Sequence, residues 1–233
     1  MHLSRPIYQL KRRAKLLARD AAIPLHEAQD RIARGEGFAS WSLLCAKHAE
    51  AVRLPSILGD LANGELALIA GRPRQGKTLI GLQLLVDAVR AGRRAVFFTL
   101  EYTETQARAL LAGIGAGADL PEIVAIDGID AAAIIRHLAQ APTGSVAVID
   151  YLQVLDQRRE TPPIEDQIAA LREFAGERRM TIAFLAQVDR AFDPACAPLP
   201  GLADLRLPNP VPLDLFAKAG FTHGGKTVVH TIG

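Results

Sequence analysis

Residues 71–78 constrain the fold of this 233-residue chain more than any other stretch. Their sequence, Gly-Arg-Pro-Arg-Gln-Gly-Lys-Thr, matches the phosphate-loop pattern G-x-x-x-x-G-K-[S/T]. The apolar run before the loop predicts a strand, and the apolar run at 79–90 predicts a helix. Glycines let backbone N–H groups approach phosphates, and a helix N-terminus carries partial positive charge. The stretch therefore predicts a nucleoside triphosphate site.

The chemistry of the motif assigns roles to its side chains. Lys77 is expected to reach the terminal phosphates, and the Thr78 hydroxyl is expected to ligate Mg²⁺. The candidate nucleotide-binding residues are Gly71, Arg72, Pro73, Arg74, Gln75, Gly76, Lys77, Thr78 and Leu79.

From residue 57 onward, apolar runs alternate with amphipathic stretches, which is typical of a parallel α/β sheet flanked by helices. Strands are predicted near 65–70, 95–100, 122–126, 145–149 and 181–186. Helices are predicted near 77–91, 103–114, 130–139 and 165–178. Residues 192–212 hold six of the fourteen prolines and are expected to be largely irregular. Two β runs around Gly224-Gly225 predict a hairpin.

Polar side chains follow three of the predicted strands. Glu101, Asp150 and Gln187 each come directly after an apolar run. Ligands of open parallel sheets bind beyond the carboxyl ends of the strands, so we expect these side chains to meet the phosphate loop at one edge. Asp150 is then expected to hold Mg²⁺, Glu101 to accept a proton from the attacking water or orient it, and Gln187 to contact the γ-phosphate. Each has an alternative: Asp150 as a helix cap or surface acid, Glu101 as a helix cap, Gln187 as a loop residue.

Residues 1–53 form a separate basic segment. They carry ten Lys and Arg against five Asp and Glu, although the whole chain has a net charge of only +2. Helices are predicted at 7–19, 25–34 and 41–49, and the second is expected to turn Leu25, Ala28 and Ile32 inward. This predicts a small helical head at 1–53 and an α/β domain at 54–233. The basic surface indicates nucleic acid or an acidic partner, or is a solvated helix face.

Composition excludes several classes of protein. No apolar run approaches the roughly 20 residues that a membrane span needs, and the charged N-terminus lacks the apolar core of a signal peptide. We therefore expect a cytoplasmic protein without membrane contact. Cys45, Cys196 and the six histidines have no metal-site spacing, so no zinc site is predicted.

Several stretches resemble the RecA-like motor domain of DnaB-type replicative helicases. They are GRPRQGKT, FFTLEYTETQARALL, VAVIDYLQVL and TIAFLAQVDR, followed by LADLR and LDLFAKAGF, and together they cover most of 54–233. The resemblance implies Glu101 as catalytic base, Asp150 as the Mg²⁺ residue and Gln187 as γ-phosphate sensor. It also implies an ATPase that works in DNA replication as a homo-oligomeric ring around single-stranded DNA.

The chain also departs from that family. The family's Lys-x-Arg-x-Gly stretch, whose basic residues complete a neighbour's site, would begin about where this sequence ends, so no arginine finger is expected within it. The segment at 191–201, which resembles a DNA-contacting loop, has no Lys or Arg, and Arg190 stands at its start. The other predicted DNA-facing loop, 153–161, holds Arg158 and Arg159.

Two functions of different classes fit these observations. The first is a DnaB-like ATPase that acts on single-stranded DNA. The second is an ATP-gated switch or adaptor that controls a protein partner, favoured by the uncharged loop. A phosphotransferase acting on a small acceptor is a weaker third option, because the sequence shows no acceptor pocket or lid.

Overall fold

The computed structural model describes residues 4, 7–45, 56–117, 120–125, 128–152, 155, 162–206 and 212–232. The chain divides into two compact units, Met1–Arg53 and Leu54–Gly233. No helix in these ranges combines the length and the apolar character needed to cross a membrane.

The N-terminal unit is helical, as predicted. Helix α1 spans Ile7–Asp20 and helix α2 spans Leu25–Gly35, and residues 41–45 are helical up to the end of the described segment. A small core forms where Leu10, Ala33 and Leu44 meet. Because each helix is short, this contact between helices supplies more of the stability than helix propensity does.

One residue of this unit lies differently from the prediction. Leu25 was expected to face inward, but its side chain is 41% exposed, whereas Ala28 is fully buried. Leu25 is the first residue of α2, and the buried stripe begins one turn later. The Ser40 cap is as predicted, since its hydroxyl accepts a hydrogen bond from the Leu43 N–H at 3.2 Å.

The second unit is an α/β domain. Its helices are α3 (Lys77–Arg90), α4 (Glu104–Gly113), α5 (Ala131–Leu138) and α6 (Ile164–Arg178). Its strands are β1 (Leu66–Gly71), β2 (Ala95–Thr99), β3 (Glu122–Ala125), β4 (Val146–Asp150), β5 (Thr181–Val188), β6 (Leu205–Arg206), β7 (Lys218–His223) and β8 (Lys226–Thr231).

These strands form one sheet in the order β3-β2-β4-β5-β1-β7-β8. The pairs from β3 to β7 are parallel, and β7–β8 is the predicted antiparallel hairpin. The predicted mostly parallel sheet flanked by helices is therefore confirmed. Both faces are covered, because neighbouring residues such as Phe97 and Phe98 are each buried in a different apolar cluster. Such strands read as continuous apolar runs for this reason.

The structure corrects the predicted end of one strand. The run at 181–186 was expected to end before Gln187, but β5 continues through Gln187 to Val188. A two-residue strand extends the pairing, because Gln187 and Val188 lie opposite Arg206 and Leu205 in antiparallel register. This strand falls in the proline-rich segment that was predicted to be irregular.

Gly71 sits where two strands approach closely. It ends β1, and its register partners are Gln187 on β5 and Thr222 on β7. A Cβ atom at Gly71 would lie 2.7 Å from Thr222 Cγ2 and 3.3 Å from the Thr222 carbonyl oxygen. The sheet therefore requires glycine at this end of β1 for space.

We expect Gly71→Ala to lower the free energy of unfolding by about 1–3 kcal/mol, because the new methyl group overpacks this contact. Combining it with Thr222→Ser, which removes Cγ2 and keeps the hydroxyl, should restore part of the loss. Urea denaturation of both single variants and the double variant measures this. Equal losses in Gly71→Ala and the double variant would show that the methyl contact is not the cause.

Candidate nucleotide site

The phosphate loop and three polar side chains meet at one edge of the sheet. Strands β2, β4, β5 and β1 are consecutive in the sheet and run parallel, so their carboxyl ends lie together. A cavity of about 320 Å³ opens there. Its lining includes Lys77, Thr78, Glu101 and Gln187. The structure therefore brings these segments together at the edge where the sequence places them.

The phosphate loop turns sharply before the helix. Gly76 precedes α3 with φ of 90°, a left-handed conformation that glycine adopts without strain, and Arg74 also has a positive φ of 64°. Helix α3 then begins at Lys77, so its first N–H groups have no partners within the helix. Six of the nine predicted loop residues line the cavity: Pro73, Arg74, Gly76, Lys77, Thr78 and Leu79. This geometry suits an anion at the helix N-terminus.

The other three predicted loop residues support the loop from behind. Besides Gly71, these are Arg72 and Gln75. The Arg72 guanidinium donates to the carbonyl oxygens of Arg190 at 3.4 Å and Phe192 at 3.5 Å. The Gln75 carbonyl accepts from the Thr222 hydroxyl at 3.3 Å, and its side-chain oxygen accepts from the Gly224 N–H at 3.0 Å. The loop is thus tied to the segment after β5 and to the β7–β8 hairpin.

Asp150, the last residue of β4, lies fully buried beside the loop. Its Oδ1 is 3.9 Å from Lys77 Nζ, and its Oδ2 accepts a hydrogen bond from the Thr78 hydroxyl at 3.4 Å. Burial raises the pKa of Asp150 to about 6, with the nearby Glu101 carboxylate adding to the rise and Lys77 and Thr78 opposing it. The carboxylate is therefore underpaired in this environment.

The donor atoms at this point fit a magnesium ion. Asp150 Oδ1 is buried and has no hydrogen-bond partner in the described part of the chain. Mg²⁺ prefers carboxylate and hydroxyl oxygens, with the remaining positions filled by phosphate and water. Asp150 and Thr78 would hold the ion, and its charge would relieve the unpaired carboxylate.

Glu101 lies just beyond β2, on the strand next to Asp150. Thr99 is the register partner of Asp150, and its hydroxyl accepts a hydrogen bond from the Glu101 N–H at 3.1 Å. Glu101 is not the cap of α4, because Thr103 holds that position in a capping box with Gln106. The exposed Glu101 side chain lines the cavity and is available to a bound water.

Tyr102 is a site residue that the motifs did not reveal. It lines the cavity, and its hydroxyl forms a hydrogen bond with the Thr78 hydroxyl. Burial raises the pKa of the phenol, so it is neutral near pH 7. The available signal was its position directly after Glu101, in a segment where no general rule of phosphate chemistry asks for an aromatic residue.

The remaining predicted site residues divide into two groups. Gln187 lines the cavity, and its register with Gly71 puts it beside the start of the phosphate loop. Arg190 is exposed, with its backbone carbonyl held by Arg72. Arg158 and Arg159 lie outside the described residues.

Comparisons with known proteins identify the fold. No family model and no curated protein matches the chain. Among solved structures, it is similar to a separately solved ATPase domain, with 18% identity, a TM-score of 0.58 and coverage of 76% of this chain and 80% of that one. A DnaB-like replicative helicase, described with its interactions with primase, gives 16% identity, a TM-score of 0.57 and coverage of 92% and 66%.

A third similar structure is the KaiC-like protein PH0186 from the archaeon Pyrococcus horikoshii OT3. It shows 16% identity, a TM-score of 0.54 and coverage of 78% of this chain and 87% of that one. These likenesses show that the chain has the fold of RecA-like P-loop ATPases. The resemblance read from the sequence is confirmed at the level of the fold.

The raised pKa of Asp150 predicts a pH-dependent stability of the nucleotide-free protein. The folded state keeps the proton up to about pH 6, while the unfolded carboxyl loses it near 3.8, so stability falls as pH rises between these values. We expect wild type to lose about 3 kcal/mol of unfolding free energy relative to Asp150→Asn between pH 4 and 7. Urea titrations of both proteins across this range measure the difference. A constant difference would contradict the pKa assignment.

Proposed function

We propose that this RecA-like chain binds ATP with Mg²⁺, hydrolyses it, and acts on single-stranded DNA as a DnaB-like helicase subunit does. The observation that carries the proposal is the meeting of Lys77, Asp150, Glu101 and Gln187 around one cavity behind a phosphate loop. Their residue types supply the three needs of phosphoryl transfer to water: charge neutralisation, metal binding and orientation of the nucleophile.

Binding rests on the loop and the first turn of α3. The backbone N–H groups at the helix N-terminus face the phosphates, and Lys77 places its ammonium group on the β- and γ-phosphate oxygens. Thr78 and Asp150 hold the magnesium ion, which when bound neutralises charge on the phosphates. Tyr102, through its contact with the Thr78 hydroxyl, fixes the position of that ligand.

Hydrolysis needs a base for the attacking water. Glu101 is exposed on the cavity wall, so its carboxylate can accept the proton of a water placed in line with the γ-phosphate. Gln187 donates its side-chain N–H to the γ-phosphate or to that water, and so distinguishes ATP from ADP. In this scheme Lys77, Glu101 and Gln187 are the catalytic residues.

Action on DNA is the less direct part of the proposal. It is supported by the motif resemblance and by the fold shared with a DnaB-like replicative helicase. Arg190 and the loop residues Arg158 and Arg159 are the candidate DNA contacts in the α/β domain. In this role we expect the chain to work as a homo-oligomer, which the solution mass with and without ATP will reveal.

The second candidate function is an ATP-gated switch or adaptor. The observation that favours it is the segment 191–201, which has no Lys or Arg for a phosphate backbone. Arg72 ties the start of this segment to the phosphate loop, so bound nucleotide can set its position for a protein partner.

Two substitutions test the ATPase assignment. Lys77→Ala is expected to abolish tight ATP binding, because it removes the cation that meets the phosphates. Glu101→Gln is expected to keep ATP binding and to slow hydrolysis by about 100-fold or more, since an amide cannot accept the proton. Fluorescent-nucleotide titration and phosphate-release assays separate the two effects.

Glu104→Gln is the matched control. Glu104 is a nearby exposed glutamate on α4 that pairs with Arg108. It should hydrolyse ATP like wild type. Normal turnover in Glu101→Gln would place the base elsewhere.

The DNA assignment predicts that single-stranded DNA raises ATP turnover at low salt. The double variant Arg158→Ala/Arg159→Ala should lose this stimulation while keeping its turnover without DNA, because only phosphate-backbone contacts are removed. Arg108→Ala, on the exposed surface of α4, serves as control. Turnover that is unaffected by DNA in wild type would instead favour the switch.

A further inference from the structure

The basic charge of the N-terminal unit is concentrated on one face of α1. At about 100° of rotation per residue, Lys11, Arg12, Lys15 and Arg19 fall within an arc of about 100°. All four are exposed. We call these four residues the cationic face. They extend over about 12 Å along the helix, at 1.5 Å per residue.

The described carboxylates of this unit leave the cationic face largely unneutralised. Glu27 pairs with Arg31, Asp30 accepts from the Trp41 N–H, and Glu36 accepts from the Ser4 N–H. Asp20 pairs with Arg19, at the end of the face, with both side chains more than half exposed. Within the described residues, Lys11, Arg12 and Lys15 form no ion pair.

This arrangement carries a cost for the isolated helix. Lys11 and Lys15, and Lys15 and Arg19, are like-charge pairs at i,i+4, and each such pair destabilises a helix by about 0.2–0.5 kcal/mol. A bound polyanion would remove that repulsion. The pattern is therefore stabilised by a ligand and not by the unit's own contacts.

The apolar side of α1 narrows the choice of polyanion. Leu10 and Ala14 are fully buried in the unit's own core. A basic helix that lies on a lipid surface must insert its apolar face among the acyl chains. Since α1 has already buried that face, only the charged side remains for binding. This favours a solvated phosphate chain over a membrane surface.

We propose that the cationic face of α1 is a nucleic-acid phosphate-binding site, and that it supplies the main electrostatic affinity of this chain for single-stranded DNA. About 12 Å of one strand spans three or four phosphates at roughly 3.4 Å per nucleotide, which matches four cations. The proposal deepens the proposed action on DNA and rests on it. It accounts for the lack of Lys and Arg at 191–201, because the positive charge is carried by the other unit.

The test is DNA binding by the full chain, with fluorescein-labelled oligothymidylate and anisotropy between about 50 and 200 mM KCl. The variant Lys11→Gln/Arg12→Gln/Lys15→Gln removes three cations from the face. We expect its slope of log K against log salt to be less steep by about 2, because each single-strand contact contributes about 0.7. Affinity near 0.1 M salt should then fall by about 100-fold.

A second triple variant provides a control with the same change of net charge. It removes three cations of the same unit that lie off the cationic face: Arg13→Gln, Arg31→Gln and Arg34→Gln. Screening over about 10 Å confines their influence, so affinity should change by no more than about threefold. Equal losses in both variants would mean attraction by net charge alone and would overturn the site.

Three further outcomes are decisive. DNA binding by the first variant that equals wild type at every salt concentration overturns the proposal. Wild type that binds vesicles of anionic phospholipid, or an acidic protein such as polyglutamate, but no DNA replaces nucleic acid with that partner. ATP turnover without DNA should be unchanged in both variants. If turnover is absent but DNA binding still depends on the face, the site stands and the ATPase assignment fails.

Discussion

A buried carboxylate beside a buried ammonium group is the constraint on which the site depends. Asp150 has no exposed surface, and Lys77 lies 3.9 Å away, too far to satisfy it alone. Removing a charge from water is costly unless it is paired, and here burial raises the pKa of Asp150 to about 6. The fold keeps this unfavourable group where a divalent cation and phosphates would complete its pairing. Perturbed carboxylates of this kind are typical of functional sites.

The phosphate loop has two sides with separate tasks. One side faces the cavity with Lys77 and Thr78. The other side, through Arg72 and Gln75, is bonded to the segment after β5 and to the β7–β8 hairpin. A loop held at its back needs little reorganisation when an anion arrives at its front, and such preorganisation is what electrostatic catalysis requires.

The sequence was sufficient for the parts of the molecule that depend on local pattern. Strands buried on both faces are continuous apolar runs, and the residues after them converge because parallel strands end at one edge, so Glu101 and Asp150 could be placed in advance. Contacts between distant segments were beyond such rules. Arg72 reads as a phosphate-loop cation, yet it binds carbonyls 118 and 120 positions away. Tyr102 owes its place to a partner on another element, and β6 exists only because β5 runs past Gln187.

The central position of β1 in the sheet also sets an order of events during synthesis. The loop that follows it is secured by Thr222, a hydrogen bond that spans 147 positions of the chain. At about 5–20 residues per second, a ribosome needs roughly 7–30 s to translate the intervening segment. Throughout that interval the nascent loop has no hairpin behind it. Capture of a nucleotide therefore belongs to the finished domain, after the β7–β8 hairpin has joined the sheet.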